Sequence, residues 1–504
     1  MKTLGESQAK NLRLRDVLRE GDTDLWLGSD LRESSLWGEP TFVDQIVSLV
    51  DSSKSVDPDK VTRESRVGVR LRAAFAWFRS FAHSVQPRKS RTLNSDIIFV
   101  QYWPTPVGSS FTEQAARWQS PYFQTLPSHL VNSGLSVGFL HLHAQGPVTK
   151  PPKKVRMHVK QVNEAQPIHI LVSDFLSPRG VSRAFRTWRR ISRRLPSDAA
   201  LHEQVTKHAD LQQLWPWWSQ MLHRSVRGSH GVRTALLTEM FGQIVRRNSA
   251  TKLWIIACEG QSWEPCLMRH LDSQGKQWLS YVHTMMRPWD MRVRSLLSEY
   301  PPKRLAVHGP HDYGELKSLG VPLIEVEALR YQHLIRNPKS ATSADLSTRN
   351  SWLVVGGADC AASRTELSSL LQEMQRRSVS RNVVIRWHPQ CTLPTDFVTQ
   401  QVSLSSESLE LLAAKASVAF MVGRAAPLDT YLSGVPSCSL AVSGGLAMSP
   451  IPENEVHHTA ITAASAVTWM LDAEQRTGFQ PPIADYFVLD PTLPRWLSLI
   501  GELS

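Results

Sequence analysis

The pattern of apolar and polar positions changes near residue 96. Before it the sequence is polar and irregular, with an apolar segment at 25–30, a predicted helix at 42–50 and a basic helical stretch at 67–85. From 96 onward, short apolar runs alternate with segments of helix length. Six runs typical of buried strands lie at 96–103, 137–144, 168–175, 252–258, 304–309 and 322–327. This alternation predicts parallel βα units.

A second series of the same kind follows a polar stretch at 335–350, which predicts a linker. Its strand-like runs lie at 352–357, 382–389, 416–423 and 436–442, with helical segments at 365–377 and 426–434. The sequence therefore predicts an α/β protein with two Rossmann-type parallel-sheet domains facing each other across a cleft. The expected units are an N-terminal extension packing on the first lobe (1–95), the first lobe with a basic helical insertion (96–334), the linker (335–350), the second lobe (351–480) and a C-terminal segment (481–504) that could return to the first lobe.

Composition narrows the class of protein. The 504 residues exceed what one compact core holds, and 41% hydrophobic with 20% charged residues is ordinary for a soluble globular protein. No apolar leader and no membrane-spanning run is expected. The five cysteines (258, 266, 360, 391 and 438) include no CxxC pair, which predicts neither a disulfide framework nor a structural zinc site and favours a reducing cytoplasm.

The net charge of +12 indicates anionic partners. Nucleic acid, anionic lipid and phosphorylated substrates all fit such a surplus, as does an uneven solvated surface without a specific partner. Neither a GxxxxGK[ST] nor a GxGxxG motif occurs, which argues against an ATPase or a dinucleotide enzyme.

Strand ends in the second lobe predict a nucleotide site. The run VVIRW ends in His388-Pro389, which places an imidazole at the carboxyl edge of the sheet, where it can donate to a phosphate oxygen and, when protonated, add charge. The next run ends in a tight turn before a helix, whose backbone N–H groups could meet an anion. The candidates there are Gly423, Arg424, Ala425 and, for ribose hydroxyls, Asp429, with a further loop at Gly356 and Gly357. A surface histidine before a turn and a stable αβ corner are the alternatives.

Two short motifs resemble those of bacterial GT-B sialyltransferases. Glu259-Gly260 resembles the end of their acid-acid-Gly motif, although Cys258 replaces the first acid, and His388-Pro389 resembles their His-Pro motif. The segments 26–37, 259–264, 326–331, 386–389 and 428–436 resemble surface-carbohydrate biosynthesis proteins of O-antigen gene clusters. In the sialyltransferases a C-terminal loop is rich in serine, whereas this chain has GRAAP at 423–427.

The resemblance implies a glycosyltransferase of GT-B-like fold. No cluster of His or Cys has metal-ligand spacing in the sequence, so we expect neither a metal nor another cofactor, and the cysteine usage favours a cytoplasmic enzyme. It would move an acidic sugar such as Kdo or a nonulosonic acid from a CMP-activated donor, bound by the second lobe, to a surface-glycan or lipid-linked acceptor on the first lobe. A UDP-sugar-dependent transferase or epimerase of the same fold is the alternative.

Sugar transfer needs a base for the acceptor hydroxyl, and the stretch CEGQSWEPCL at 258–267 follows a strand-like run. Glu259 is the expected base because it stands at the strand end beside a glycine. Glu264 is the rival, unless it stabilises the first turn of a helix beginning near Pro265. Trp263 could stack on a sugar, and His311 could contact the acceptor.

A basic stretch at 182–196 carries six arginines, with Arg179 just before it, and apolar residues at helical spacing. Such a helix suits peripheral contact with an anionic bilayer at the inner face of the cytoplasmic membrane, or a core helix with a solvated basic face. Arginines beside tryptophans also fit a nucleic-acid-binding protein without catalysis, but no known nucleic-acid-binding signature supports it.

Overall fold

The computed structural model describes residues 66–85, 93–103, 119–143, 153–163, 168–194, 203, 226–287, 290–336, 351–357, 360–388, 391–422, 427–440, 449–476 and 479–504. The predicted segments at 25–30 and 42–50 lie outside these residues, as does the predicted linker at 335–350 apart from Ile335 and Arg336, which are the last two residues of a short helix. None of the helices in the described ranges is long and apolar enough to cross a bilayer.

Seven parallel strands form the first sheet in the order β3-β2-β1-β4-β5-β6-β7. The strands are β1 (Ile97–Tyr102), β2 (Val137–Leu142), β3 (Ile168–Leu171), β4 (Leu253–Cys258), β5 (Gln277–Val282), β6 (Leu305–Val307) and β7 (Leu323–Glu325). The predicted run at 168–175 is a short strand followed by a 3-10 turn at Val172–Phe175. Strand β5 is an addition to the predicted set.

Six parallel strands form the second sheet in the order β10-β9-β8-β11-β12-β13. They are β8 (Ser351–Gly356), β9 (Asn382–Arg386), β10 (Val402–Leu404), β11 (Ala416–Val422), β12 (Ser437–Leu440) and β13 (His457–Ala460). The first six strands of the chain and the six of this sheet follow the same Rossmann-type order. The topology confirms the prediction of an α/β, GT-B-like fold with two such domains.

Fifteen helices lie in the described ranges. They are α1 (Arg66–Ser84), α2 (Leu126–Asn132), α3 (Lys153–Val162), α4 (Pro178–Arg194), α5 (Ser229–Arg247), α6 (Trp263–Ser273), α7 (Met291–Glu299), α8 (Pro310–Leu316), α9 (His333–Arg336), α10 (Cys360–Arg376), α11 (Leu409–Lys415), α12 (Leu428–Leu432), α13 (Ala463–Ala473), α14 (Ile483–Tyr486) and α15 (Pro494–Leu503). In the first lobe, α1, α4, α5 and α6 share one apolar core on one face of the sheet, and α2 and α15 share another core with strands of the same sheet.

The chain ends on the first lobe. Glu327, fully buried, accepts hydrogen bonds from the backbone N–H groups of Arg495 (2.9 Å) and Trp496 (3.1 Å) at the start of α15. A carboxylate at this position satisfies N–H groups that have no partner within the helix and favours the helix dipole. The Trp496 indole N–H donates to the Glu327 carbonyl at 2.9 Å, so α15 is fixed to the chain just after β7.

Cys360 and Cys391 form a disulfide, contrary to the expectation from the cysteine spacing. Cys360 begins α10, which follows β8, and Cys391 lies after β9. The two strands are neighbours in the sheet, so the loops at their carboxyl ends meet although 31 positions separate the cysteines. Cys258, Cys266 and Cys438 are free and buried.

Candidate functional site

The carboxyl edge of the first sheet brings an acid and a histidine together. Glu259 follows β4 and His283 follows the neighbouring strand β5, and His283 Nε2 lies 3.3 Å from Glu259 Oε1. Burial lowers the pKa of His283 well below its usual value, with the Arg330 charge as the next cause, so the imidazole is neutral at pH 7. With a carboxylate facing Nε2, the proton of the neutral ring belongs on that nitrogen. The Glu259 side chain is 24% exposed, so it remains accessible to a substrate.

Glu264 fixes the loop that carries Glu259. Its Oε1 accepts the backbone N–H groups of Glu259 (3.0 Å) and Gln261 (2.8 Å), and Gly260 between them has a φ of +68°. Only glycine adopts such a φ without strain, which explains the glycine after the acid. The Glu264 side chain is fully buried, so it cannot meet an acceptor hydroxyl directly, contrary to the prediction of Glu264 as the rival base.

Burial also determines the protonation of Glu264. It raises the pKa of this carboxyl to about 8, and the hydrogen bonds from Gln261 and Glu259 oppose the rise only in part. Below that pH the carboxyl is mostly protonated. Its carbonyl oxygen can still accept both backbone N–H groups.

Trp263 does not stack on a ligand in this arrangement. The side chain is 1% exposed, and its ring packs edge-on against Tyr102 at 6.1 Å and lies 6.3 Å from Phe241. The first residue of α6 faces α5 and the sheet, so its indole belongs to the core. The sugar-stacking prediction for Trp263 is wrong.

Two tyrosines border the pair of Glu259 and His283. The ring centroid of Tyr122 lies 4.6 Å from that of His283, and Tyr102 ends β1, next to β4. Burial raises the pKa of Tyr102 to about 12 and also raises the pKa of Tyr122, to which the Glu259 charge adds. Both phenols are therefore neutral at pH 7.

Arg330 connects the two lobes at this edge. It lies in a 3-10 turn at Leu329–Tyr331 after β7, and its Nη2 is 3.7 Å from Asp429 Oδ2 in α12 of the second lobe. The nearby Tyr331, Asp429, Tyr281 and Glu259, in that order, raise the pKa of the guanidinium. A permanent positive charge therefore stands between the candidate base and the second lobe.

Asp429 is placed as the sequence predicts, in the first turn of the helix after β11. Its side chain is one quarter exposed and is paired with Arg330. Ribose binding by Asp429 stays a prediction.

A buried hydrogen-bonded group supports the same edge. His308 Nε2 lies 2.9 Å from the Tyr281 hydroxyl, and His308 Nδ1 lies 3.1 Å from Asp312 Oδ2. Asp312 Oδ1 accepts the Met286 N–H at 2.8 Å, so this group holds the loop after β5 against α8. His311 is the predicted acceptor contact. Its Nε2–H donates a hydrogen bond to the Met286 carbonyl oxygen at 2.9 Å.

The second lobe presents His388 after β9. This histidine is half-buried, and burial, followed by the Arg386 charge, lowers its pKa. In the free protein it is therefore neutral at pH 7 and can donate a hydrogen bond, but it does not add the positive charge that the sequence suggests.

The glycine pair after β8 has structural roles. A Cβ on Gly356 would lie 2.6 Å from the Trp387 ring, so glycine is required there for packing. The Gly357 N–H donates to the Val422 carbonyl at 2.8 Å and is thus engaged within the sheet. The prediction that these two glycines bind phosphate is not supported. Pro389, Gly423, Arg424 and Ala425 lie outside the described residues.

Among the described residues, no group of three or more His, Cys, Asp or Glu side chains could hold a metal ion. The described side chains at this edge are a carboxylate, a neutral imidazole, two phenols and a guanidinium.

Four members of this site were missed in the sequence. They are His283, Tyr102, Tyr122 and Arg330, and Tyr102 was counted only as part of a buried strand. His283 is missed because β5 was not predicted, and Tyr122 because it precedes no recognisable element. Arg330 lies in a segment used for the family resemblance, and the available signal was its position just after an apolar strand of the first lobe.

No protein-family model matches this chain, and no curated protein matches it. Solved structures with similar folds include a UDP-GlcNAc 2-epimerase from Neisseria meningitidis bound to UDP-GlcNAc (10% identity, TM-score 0.45, covering 81% of this chain and 99% of that one). A second is a UDP-N-acetylglucosamine 2-epimerase from Rickettsia bellii (8% identity, TM-score 0.44, covering 81% of this chain and 96% of that one). A third is the glycosyltransferase SnogD from Streptomyces nogalater (12% identity, TM-score 0.34, covering 80% of this chain and 99% of that one). At these TM-scores the likeness carries no argument about what this chain binds or transforms.

Proposed function

We propose that this protein is a metal-independent glycosyltransferase that moves a sugar from a nucleotide-activated donor to an acceptor hydroxyl. One observation carries the proposal. A partly exposed carboxylate, Glu259, is fixed at the carboxyl edge of one Rossmann-type sheet, beside a neutral histidine and a guanidinium that contacts the other lobe. Ligands of open α/β sheets bind at such edges.

Glu259 acts as the general base in this proposal. The acceptor hydroxyl gives its proton to the carboxylate as its oxygen attacks the anomeric carbon, and the bond from that carbon to the donor phosphate breaks. The neutral His283, with its Nε2 toward Glu259, orients the carboxylate without neutralising its charge. Glu264 keeps the Glu259 backbone in place through two hydrogen bonds.

Arg330 stabilises the leaving phosphate in this proposal. Negative charge develops on the departing nucleotide, and a fixed guanidinium can meet two phosphate oxygens at once. Its Nη2 lies 3.7 Å from Asp429 Oδ2, which is longer than a charge-assisted hydrogen bond. His388, from the second lobe, supplies a further N–H donor.

Only the sequence resemblance indicates which nucleotide and sugar make up the donor. His388-Pro389 favours a CMP-linked acidic sugar such as Kdo or a nonulosonic acid, transferred to a glycan or lipid-linked acceptor. The two epimerases of similar fold are named for a UDP-linked sugar, UDP-GlcNAc. A UDP-sugar donor is therefore the alternative that the first experiment includes. Peripheral membrane contact through the basic stretch at 182–196 belongs to the same proposal, since it would bring the enzyme to a lipid-linked acceptor.

A thermal-shift series with CMP, UDP, GDP and ADP at matched concentrations tests the nucleotide site, using wild type and His388→Ala. A ligand at 100 times its dissociation constant stabilises the folded protein by about 2.7 kcal/mol. We expect a shift with one nucleotide, selective for CMP and reduced in His388→Ala. A selective UDP shift would contradict the CMP donor only, and no shift with any of the four would contradict the proposed function.

Product analysis with CMP- and UDP-linked sugars completes the test. Free nucleotide together with a glycosylated acceptor supports transfer. Conversion of the sugar nucleotide to an isomer, without an acceptor, would instead identify an epimerase.

A further inference from the structure

Helix α1 carries apolar side chains on two opposite faces. Its inner face includes Val69, Ala73 and Trp77, all buried, and packs against α4 and α5. Its outer face consists of large apolar side chains that are 54% to 70% exposed, namely Val67, Leu71, Phe75, Phe78 and Phe81, continued by Val85 just after the helix. We call these six residues the outer face of α1.

The outer face is one continuous stripe. At about 100° per residue its members fall within roughly a third of the helix circumference, opposite the buried side. Single exposed apolar residues are ordinary on protein surfaces, but a contiguous row of this kind marks an interaction site. Burying three phenylalanines and three aliphatic side chains is a strong driving force for association.

Arginines surround this stripe. Arg70 flanks it on one side, and Arg72 and Arg79 flank it on the other, all three exposed. The guanidinium of Arg79 lies 5.5 Å from the centre of the Phe75 ring. The sequence of α1 contains four arginines and no acidic residue.

Helix α4 adds a second basic surface beside the first. Trp77 of α1 contacts Phe185 and Trp188 of α4, with ring centroids 5.3 and 5.7 Å apart, which holds the two helices side by side. The sequence of α4 has seven arginines and no acidic residue. Six of them are exposed, namely Arg179, Arg183, Arg186, Arg189, Arg190 and Arg193. Arg183 pairs with Glu239 of α5.

We propose that the outer face of α1 inserts into the surface of an anionic lipid bilayer while the exposed arginines of α1 and α4 contact lipid phosphates. An apolar stripe between rows of cations is the composition of helices that lie in the plane of a membrane interface. Charge complementarity favours an anionic bilayer over a second copy of this chain as the partner of this surface. The two neighbouring helices contain eleven arginines and no carboxylate, so they repel a second copy of themselves and attract an anionic surface.

The basic stretch at 182–196 lies in α4, whereas the apolar anchor proposed here lies on α1. Two signals, one apolar and one basic, are what stable peripheral binding requires. None of the residues involved belongs to the candidate site around Glu259, so vesicle binding and sugar transfer can fail independently.

Co-sedimentation of the full-length protein with vesicles tests the proposal. Vesicles of phosphatidylcholine alone are compared with vesicles that also contain phosphatidylglycerol. We expect wild type to bind the anionic vesicles, Phe75→Ser/Phe78→Ser to bind them at least about tenfold more weakly, and Arg189→Gln/Arg193→Gln to lose about fivefold per arginine. The matched control is Leu411→Ser/Ile461→Ser, which removes two residues of similar exposure (58% and 70%) from the second lobe and should bind as wild type does.

A fluorophore on the outer face distinguishes the occupants. The free cysteines of the described residues are buried, so Phe78→Cys provides an exposed thiol for an environment-sensitive dye. We expect a blue shift of its emission only when anionic vesicles are added. Emission already blue-shifted without vesicles at low protein concentration would mean that another segment of this chain covers the face.

A blue shift that grows with protein concentration would mean that a second copy covers it. The proposal would be overturned by emission that is blue-shifted without vesicles or by a blue shift that grows with protein concentration. It would also be overturned if wild type and Phe75→Ser/Phe78→Ser bound vesicles equally, or if wild type did not bind them.

Discussion

Replacing Glu264 by glutamine should change how the stability of the protein depends on pH. In the folded chain, chiefly because of burial, the pKa of Glu264 is raised from its usual 4.5 to about 8. Between these values the folded protein holds a proton that the unfolded chain has lost. The free energy of unfolding therefore falls as the pH rises through this window.

The size of the effect follows from the pKa difference. Each unit corresponds to about 1.4 kcal/mol, and integrating the linkage from pH 5 to pH 8 gives a loss of roughly 3 kcal/mol in wild type. Glutamine is isosteric and does not titrate, and its carbonyl oxygen can accept the N–H groups of Glu259 and Gln261 as the carboxyl does. The variant should be close to wild type at pH 5 and more stable than wild type at pH 8.

Thermal unfolding of both proteins across pH 5 to 8.5 measures this difference. For a lobe of this size, 3 kcal/mol corresponds to a difference of about 6 °C or more in Tm. Glu264→Leu separates charge from hydrogen bonding, since it leaves two N–H groups without an acceptor and should destabilise at every pH. Glu327→Gln is the matched control for replacing a buried carboxyl group by an amide, because Glu327 is also buried and also accepts two backbone N–H groups. An equal fall in Tm with pH in wild type and Glu264→Gln would refute the reasoning.

Two further predictions concern the cleft and the second lobe. Arg330→Ala should lower kcat about a hundredfold, because one hydrogen-bond donor to the transition state is lost. Arg330→Lys keeps a positive charge and should lower kcat less. An unchanged kcat of Arg330→Ala in steady-state kinetics would contradict the proposed role of Arg330. Cys360→Ser/Cys391→Ser should destabilise the second lobe by about 3 to 4 kcal/mol, the loop-closure value for a bridge of this span. Wild type in a thiol reductant should unfold like this double variant, and a Tm insensitive to reductant would contradict the bridge.

The positions of strands could be predicted from apolar runs wherever those runs were uninterrupted, whereas the order of strands in each sheet was not predicted. Strand β5 was missed because Gln277, Ser280 and Tyr281 break its apolar pattern, although all but Gln277 of its residues are buried. The consequence is functional, since His283 follows this strand and has no motif of its own.

Other features depend on tertiary contacts that no local pattern contains. Trp263 was expected to face a ligand, but the way α6 packs on α5 turns it into the core. The pairing of Cys360 with Cys391 requires β8 and β9 to be neighbours. The position of Glu259 just after β4, by contrast, was predictable, because an apolar run followed by an acid and a glycine is a local signal.

The central claim is that Glu259 is the base for sugar transfer. The most direct test is single-turnover transfer from the donor that gives the thermal shift, comparing wild type with Glu259→Gln. The control is Glu325→Gln, which changes another partly exposed glutamate of the same lobe, one that pairs with Arg495. We predict that Glu259→Gln lowers the rate by about 10² to 10⁴ while the nucleotide-induced thermal shift is kept, and that Glu325→Gln transfers as wild type does. A rate for Glu259→Gln within a few-fold of wild type would contradict the account.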